Sequence, residues 1–286
     1  MSMLEQLPIH FPSALREVLR LQANEKTRGK ILAGGTDLMA QWAAGVPLPE
    51  RAISIFGLAE LQAVEETADA LTIGAGVTHS RVASHPLIMQ HVPMLSQAAA
   101  SVGALQIQNR GTLGGNVVNA SPAGDLAPAL LAADGVAIAQ SVRGVREIPL
   151  TAFWTGYRKT DLQPDEILLA VRVLKKGRAT ESFQKLGTRQ AQAISKIMAA
   201  CRVEMEGGVI RRAAIAFGSA AATAVRLDGL EKFLCGKKLT PKLLHEAEEL
   251  TTESIHPITD IRSTADYRKW VSGRLIRRFL EGLSVR

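Results

Sequence analysis

Two glycine-centred stretches have the residue types and spacing to hold a ligand by its main chain. The first is Ile31-Leu32-Ala33-Gly34-Gly35-Thr36-Asp37, a short apolar run that ends in Gly-Gly and feeds a helical pattern. The second is Arg110-Gly111-Thr112-Leu113-Gly114-Gly115-Asn116-Val117-Val118-Asn119-Ala120-Ser121-Pro122-Ala123-Gly124-Asp125. Glycine takes unusual dihedrals and lets a ligand approach with no Cβ in the way. A helix start adds unpaired N–H groups and a potential that favours anions. Thr36 contributes a hydroxyl donor, while Asp37, awkward beside a phosphate, is expected to cap the helix that follows. In the second stretch Thr112, Asn116 and Ser121 are neutral donors and acceptors. Asp125 stands at a predicted helix start, where it caps or accepts from a sugar hydroxyl. One such loop suits a small anion. Two, well separated in sequence, suit a long ligand with a diphosphate in its middle. The competing readings are a tight turn without ligand for the first stretch and a long surface loop for the second. Neither stretch is a Walker A loop, since no GK[ST] follows. Gly74-Ala75-Gly76-Val77-Thr78-His79 lacks the third glycine and the ribose-binding acid of a nicotinamide fingerprint.

Other chemistries find little support. Cys201 and Cys235 are the only cysteines and are too far apart for a CxxC pair. With six scattered histidines they do not make an iron–sulfur or structural zinc site, so redox chemistry here must come from an organic cofactor. Both thiols are expected to be buried and reduced. His85 and His91 belong to a helical region and are expected to pack or face solvent. The net charge of +7 gathers in short clusters at 143–146, 175–178 and 277–278. No aromatic platform or recognition motif accompanies them, so they suit an anionic cofactor or an acidic partner surface better than nucleic acid. No basic start followed by an apolar run opens the chain, and no stretch reaches the roughly 18 apolar residues of a membrane span. The expected compartment is the cytoplasm.

A chain of 286 residues has room for two domains of about 100–200 residues each. Periodicity predicts helices over 13–21 (Ser13 as N-cap), 38–44 (closed by Gly45), most of 86–102, and 125–133 (stopped by Asp134-Gly135). Strands are predicted over 30–33, 51–56, 70–74, 136–139, 147–149 and 166–174. The polar run Lys175-Lys176-Gly177-Arg178 marks a boundary. Beyond it come 182–186, a helix around 191–200, and strands 201–206 and 209–217 turned by Gly207-Gly208. Helices over 227–234, 241–251 and 265–283 close the chain.

AGGTD at 33–37 together with QNRGTLGGNVVNASPAGDLAPALLAAD at 108–134 resembles the FAD-carrying medium subunit of molybdenum hydroxylases. That family includes the bacterial xanthine dehydrogenase and aerobic carbon monoxide dehydrogenase flavoproteins. Ile73-Gly74-Ala75 with Thr78, the run from Phe153 to Thr160, and Asp165-Glu166-Ile167-Leu168 fit the same pattern. So do Phe183-Gln184-Lys185 with Arg189, Tyr267-Arg268 and Arg277-Arg278, and the resemblance covers nearly the whole chain. It implies a mixed α/β (α+β) fold: a two-lobed FAD-binding domain of the vanillyl-alcohol-oxidase-like type over 1–177, its lobes meeting near 57–60. A smaller α+β domain with a three-stranded sheet and helices then covers 178–286. It further implies FAD across both loops, with Ile31, Ala33, Gly34, Gly35, Thr36, Asp37 and Leu38 in the first segment. Thr112, Gly115, Asn116 and Asp125 form the second, with Val102 as a ring or ribityl neighbour. Thr78 offers a hydroxyl between the loops, Leu168 packs near the isoalloxazine, and Lys185 reaches in from the second domain. A cation near the pyrimidine end of the flavin would stabilise its anionic reduced form.

The resemblance assigns no catalytic side chain and no metal ligand to this chain. Its implied partners are a molybdopterin-binding large subunit and a [2Fe-2S] small subunit, in a dimer of heterotrimers. Electrons from the clusters would pass through FAD to NAD+, oxygen or a quinone. Two other readings stand beside this one: a self-contained FAD oxidoreductase, which needs its own general acid or base, and a basic nucleic-acid-binding scaffold.

Overall fold

The computed structural model describes residues 7–283. The chain opens with β1 (Ile9–His10), α1 (Leu15–Ala23), β2 (Lys30–Leu32), α2 (Thr36–Ala43) and β3 (Ala52–Ser54). β3 lies between β1 and β2 and runs parallel to both, with α2 as the crossover that a parallel β2–β3 pair requires. α1 buries Val18 and Leu19 against Ile53, Ile55 and Leu58. Ser13 does not cap α1. The N-cap is Ala14, and the Ser13 amide instead donates to Glu17 Oε2 at 3.1 Å, so the acidic side chain of the first turn takes up a free N–H.

The next segment runs β4 (Val64–Glu66), β5 (Ala70–Gly74), α3 (His79–Ser84), α4 (Pro86–His91), α5 (Pro93–Ala100), α6 (Leu105–Gln108), α7 (Leu113–Asn119), α8 (Leu126–Ala132), β6 (Val136–Ser141), β7 (Gly144–Pro149), α9 (Leu150–Phe153), β8 (Trp154–Gly156), β9 (Lys159–Thr160) and β10 (Ile167–Leu174). Its five-stranded antiparallel sheet has the order β4-β5-β10-β6-β7. The helices from α3 to α8 bury Val82, Ile88, Leu95, Leu113 and Leu130 in the core that this sheet supports. The helical stretch expected over 86–102 is two helices. Pro93 has no N–H to continue α4, and it occupies the first turn of α5, where no N–H is needed.

The last segment contains β11 (Thr180–Leu186), β12 (Ile197–Glu206), β13 (Val209–Gly218), β14 (Val225–Arg226), α10 (Asp228–Leu234), α11 (Pro241–Ser254) and α12 (Ala265–Leu283). The helix expected around 191–200 does not form. Residues 191–196 are irregular, and β12 begins at Ile197 and pairs with β11 and β13. The reason is burial on both faces. Ala200, Ala214 and Ala216 point into the core built on α5 and α8, whereas Ala199, Cys201 and Ile215 point into the core of α10–α12. With both faces apolar, the period-2 alternation that identifies a strand disappears, and the alanine-rich run looks helical. The sheet also has four strands, not three. β14 is two residues long, too short to leave a pattern, and pairs with the end of β13.

Two ionic groups fasten this sheet to the preceding helices. Glu181 and Arg202 pair at 2.5 Å with side chains 1% and 6% exposed. The same Glu181 accepts the Met94 amide of α5 at 3.1 Å. Arg226 donates to Leu131 O at 2.9 Å and to Asp134 Oδ1 at 2.6 Å, both at the end of α8, while its Nε holds Glu231. Cys201 is buried as expected, but Cys235 is exposed; both are free thiols. Among the described residues no helix is long and apolar enough to cross a membrane.

Candidate functional site

A cavity of about 1140 Å³ opens where the three segments meet, and both glycine stretches line it. In the first, β2 stops at Leu32 and α2 starts at Thr36, with Gly35 as its N-cap at φ +76°. Asp37 does not cap α2. Its carboxylate accepts from Gln41 and lies 3.5 Å from Arg158, leaving the first-turn N–H groups of α2 without a side-chain cap. Arg158 also donates to Asn119 Oδ1 at 3.1 Å, so one guanidinium links the two glycine stretches. Gly34 brings those stretches into main-chain contact: a Cβ there would lie 1.8 Å from Arg110 O.

In the second stretch Thr112 caps α7 by accepting the Gly115 amide at 3.0 Å. Gly114 packs on Ala75, where a Cβ would meet the Ala75 side chain at 2.6 Å. Gly115 is different, because a Cβ there meets only Thr112 Oγ1, at 3.0 Å, and otherwise faces the cavity. Five buried side-chain atoms of cavity-lining residues have no partner: Gln22 Oε1, His79 Nδ1, Asn116 Oδ1, Asp125 Oδ1 and Arg268 Nε. Burying polar atoms without partners is costly, so their arrangement around one cavity marks it as built for a polar ligand.

All the residues expected at the site line this cavity except Thr78 and Lys185. Thr78 uses its hydroxyl to cap α3, accepting the Arg81 amide at 3.3 Å. Lys185 donates to Asp125 Oδ2 at 2.7 Å and to Ser101 O at 2.9 Å, and lines a separate cavity of about 280 Å³. It therefore acts on the large cavity through Asp125, which stands before α8 without capping it. Val102 and Leu168 both line the large cavity. Sequence reasoning gave no role to His79, Arg158, Ser219, Asp260 or Arg268, all of which line it. Of these, Arg268 had a visible sign in the Tyr267-Arg268 pair; Ser219 and Asp260 have no local signature.

Burial sets the charge states here. The His79 imidazole is held down to about 4 from its ordinary 6.5. Burial pushes the Asp125 carboxyl up to about 6, against the pull of Lys185. The two act in opposite directions on stability. The His79 contribution is intact above pH 6.5 and lost as pH falls toward 4, whereas that of Asp125 is full below its ordinary 3.8 and lost as pH rises through 6. Unfolding of the flavin-free protein followed against pH should show this. His79→Gln flattens the loss between pH 6.5 and 4, and Asp125→Asn steepens it. An unchanged slope in His79→Gln would refute the assignment.

Residues 4–173 match the family described as the FAD binding domain in molybdopterin dehydrogenase, and residues 181–283 match the CO dehydrogenase flavoprotein C-terminal domain. The chain is 27% identical to the carbon monoxide dehydrogenase medium chain of Hydrogenophaga pseudoflava, over 97% of this chain and 96% of that one. It is 31% identical to a putative xanthine dehydrogenase FAD-binding subunit of Escherichia coli K12, over 91% and 89%. Its fold superposes on the H. pseudoflava carbon monoxide dehydrogenase structure with a TM-score of 0.91, at 26% identity over 96% and 95% of the two chains. With quinoline 2-oxidoreductase of Pseudomonas putida 86 the TM-score is 0.90, at 28% identity over 96% of each.

The chain thus belongs to the FAD-binding medium subunits of the molybdenum hydroxylases, and is the FAD subunit of an oxidoreductase. The residues present fit FAD. The uncapped start of α2 offers main-chain amides to a diphosphate, the open face at Gly115 leaves room for its approach, and Asn116 and Asp125 offer unpartnered Oδ1 atoms to hydroxyl groups. When bound, FAD supplies the redox chemistry; the protein supplies position and electrostatics.

Proposed function

We propose that this chain holds FAD between the [2Fe-2S] clusters of a small subunit and a final acceptor, which is NAD+, oxygen or a quinone. In this reading substrate meets a molybdopterin-binding large subunit, and the three chains assemble as a dimer of heterotrimers in the cytoplasm. Residues 1–177 form the FAD-binding domain and 178–286 a second domain that closes over it. The observation that carries the reading is the pair of glycine stretches touching main chain to main chain at the cavity wall, with Asn116 Oδ1 and Asp125 Oδ1 left unpartnered. The names of the relatives add support, since carbon monoxide and xanthine dehydrogenases use chains alike over most of their length. What differs between such enzymes is then the substrate, which this chain does not meet.

Affinity purification of the full-length chain from its native host tests this. The expected result is two further subunits, one carrying molybdenum and the other iron, with flavin bleached by substrate only in the assembled complex. A chain that oxidises an organic substrate with no partner present overturns the reading in favour of a self-contained FAD oxidoreductase.

A further inference from the structure

The wall of the FAD cavity formed by residues 121–125 is not held by its own segment alone. Ser219, just past the end of β13, donates its amide to Pro122 O at 2.8 Å. Gly124 closes the turn by donating to Ser121 O at 2.9 Å, and a Cβ on Gly124 would lie 3.3 Å from Asn116 Oδ1. The position of Ser219 is thus passed through Pro122 to the 121–125 turn, whose Gly124 lies close to Asn116.

Ser219 itself is in the left-handed region at φ +60°, a conformation that a residue with a Cβ adopts only at an energetic cost. Such a residue persists only where its surroundings fix it. Here Arg268, 3% exposed, donates from Nη1 to Ser219 O at 3.2 Å and from Nη2 to Asp260 Oδ1 at 2.5 Å. Asp260 is anchored in turn by the amides of Arg262 and Ser263, at 2.9 and 3.2 Å. The Ser219 hydroxyl pairs with that of buried Ser195 at 2.8 Å. A buried guanidinium that holds two acceptors with its two Nη atoms is a rigid strut, which the point charge of a lysine does not reproduce.

We propose that Arg268 is a positioning residue for FAD: with Asp260 it locks Ser219 in its left-handed turn, and Ser219 sets the 121–125 wall of the cofactor cavity. Cofactor affinity is then governed partly by α12, far along the chain from either glycine stretch. The lock also makes a specific genetic prediction. Glycine adopts the left-handed region without the Cβ penalty, so a glycine at 219 should lessen the need for Arg268.

The test uses the full-length chain with whatever subunits accompany it, stripped of FAD and titrated with FAD, and the unfolding midpoint of the flavin-free protein as control. Arg268→Lys should raise the FAD dissociation constant about ten-fold, equivalent to about 1.4 kcal/mol, with little change in the unfolding midpoint. Adding Ser219→Gly to Arg268→Lys should restore most of that affinity, a rescue that a general packing role for Arg268 does not provide. Wild-type affinity in Arg268→Lys overturns the proposal, and so does a loss that Ser219→Gly leaves unrescued.

Discussion

Replacing Gly115 by leucine is expected to abolish FAD retention while leaving the fold intact, whereas replacing Gly34 by alanine should damage both. The contrast follows from what each missing Cβ faces. At Gly115 the nearest atom is a threonine hydroxyl at 3.0 Å, and beyond it lies the cavity, so a leucine side chain grows into the space meant for cofactor. The backbone is helical there, and exchanging glycine for a better helix former favours α7 by up to about 1 kcal/mol. At Gly34 the Cβ would fall 1.8 Å from a main-chain oxygen that cannot rotate away. The two glycine stretches must then separate, at a cost of about 1–3 kcal/mol or more for so severe an overlap. Gly35→Ala should be milder: its Cβ meets only ordinary contacts beyond 3.4 Å, and the penalty is that of a left-handed φ, about 1–2 kcal/mol. Flavin absorbance per chain and denaturant midpoints separate the three. Stoichiometric FAD in Gly115→Leu would refute the two-loop site.

The difference between these glycines marks how far the sequence could be read. Residues 108–134 and 33–37 declare a main-chain binding surface, because glycine next to small polar residues has few other uses at a helix start. That Gly34 mates two loops while Gly115 faces ligand is a fact of tertiary geometry, invisible in the order of residues. The capping expectations for Asp37 and Asp125 failed for one reason: each carboxylate found a distant cation, Arg158 and Lys185, that no local pattern announces. The strand expected over 201–206 forms, but the first part of β12, from Ile197 to Ala200, was hidden because helices cover both sides of its sheet. Ser219 and Asp260 reach the cavity only through the docking of the C-terminal segment, so their roles depend on contacts far apart in sequence.

That docking is where the second large effect is expected. Arg202→Met takes away the ion-pair partner of the buried Glu181, leaving its carboxyl with the Met94 amide and the field of Lys176, and should destabilise the protein by up to about 3–5 kcal/mol. Glu181→Leu strands the Arg202 guanidinium and also deprives α5 of the acceptor at its first turn, so a loss of similar size is expected. The double variant should recover most of the stability. Burial raises the Glu181 carboxyl above its ordinary range even with Arg202 beside it, so desolvation outweighs the attraction of the partner. An ion pair of that kind is costly to break but adds little net stability, and an apolar pair of similar volume removes the desolvation penalty altogether. Denaturant unfolding of the two single variants and the double variant gives the coupling directly. Single variants within about 1 kcal/mol of wild type would sink the assignment. A double variant as unstable as the singles would instead make the ionic pair a true source of stability. The pair joins β11 to β12 and reaches α5, so the single variants should also loosen Lys185 on β11 and weaken FAD binding through Asp125.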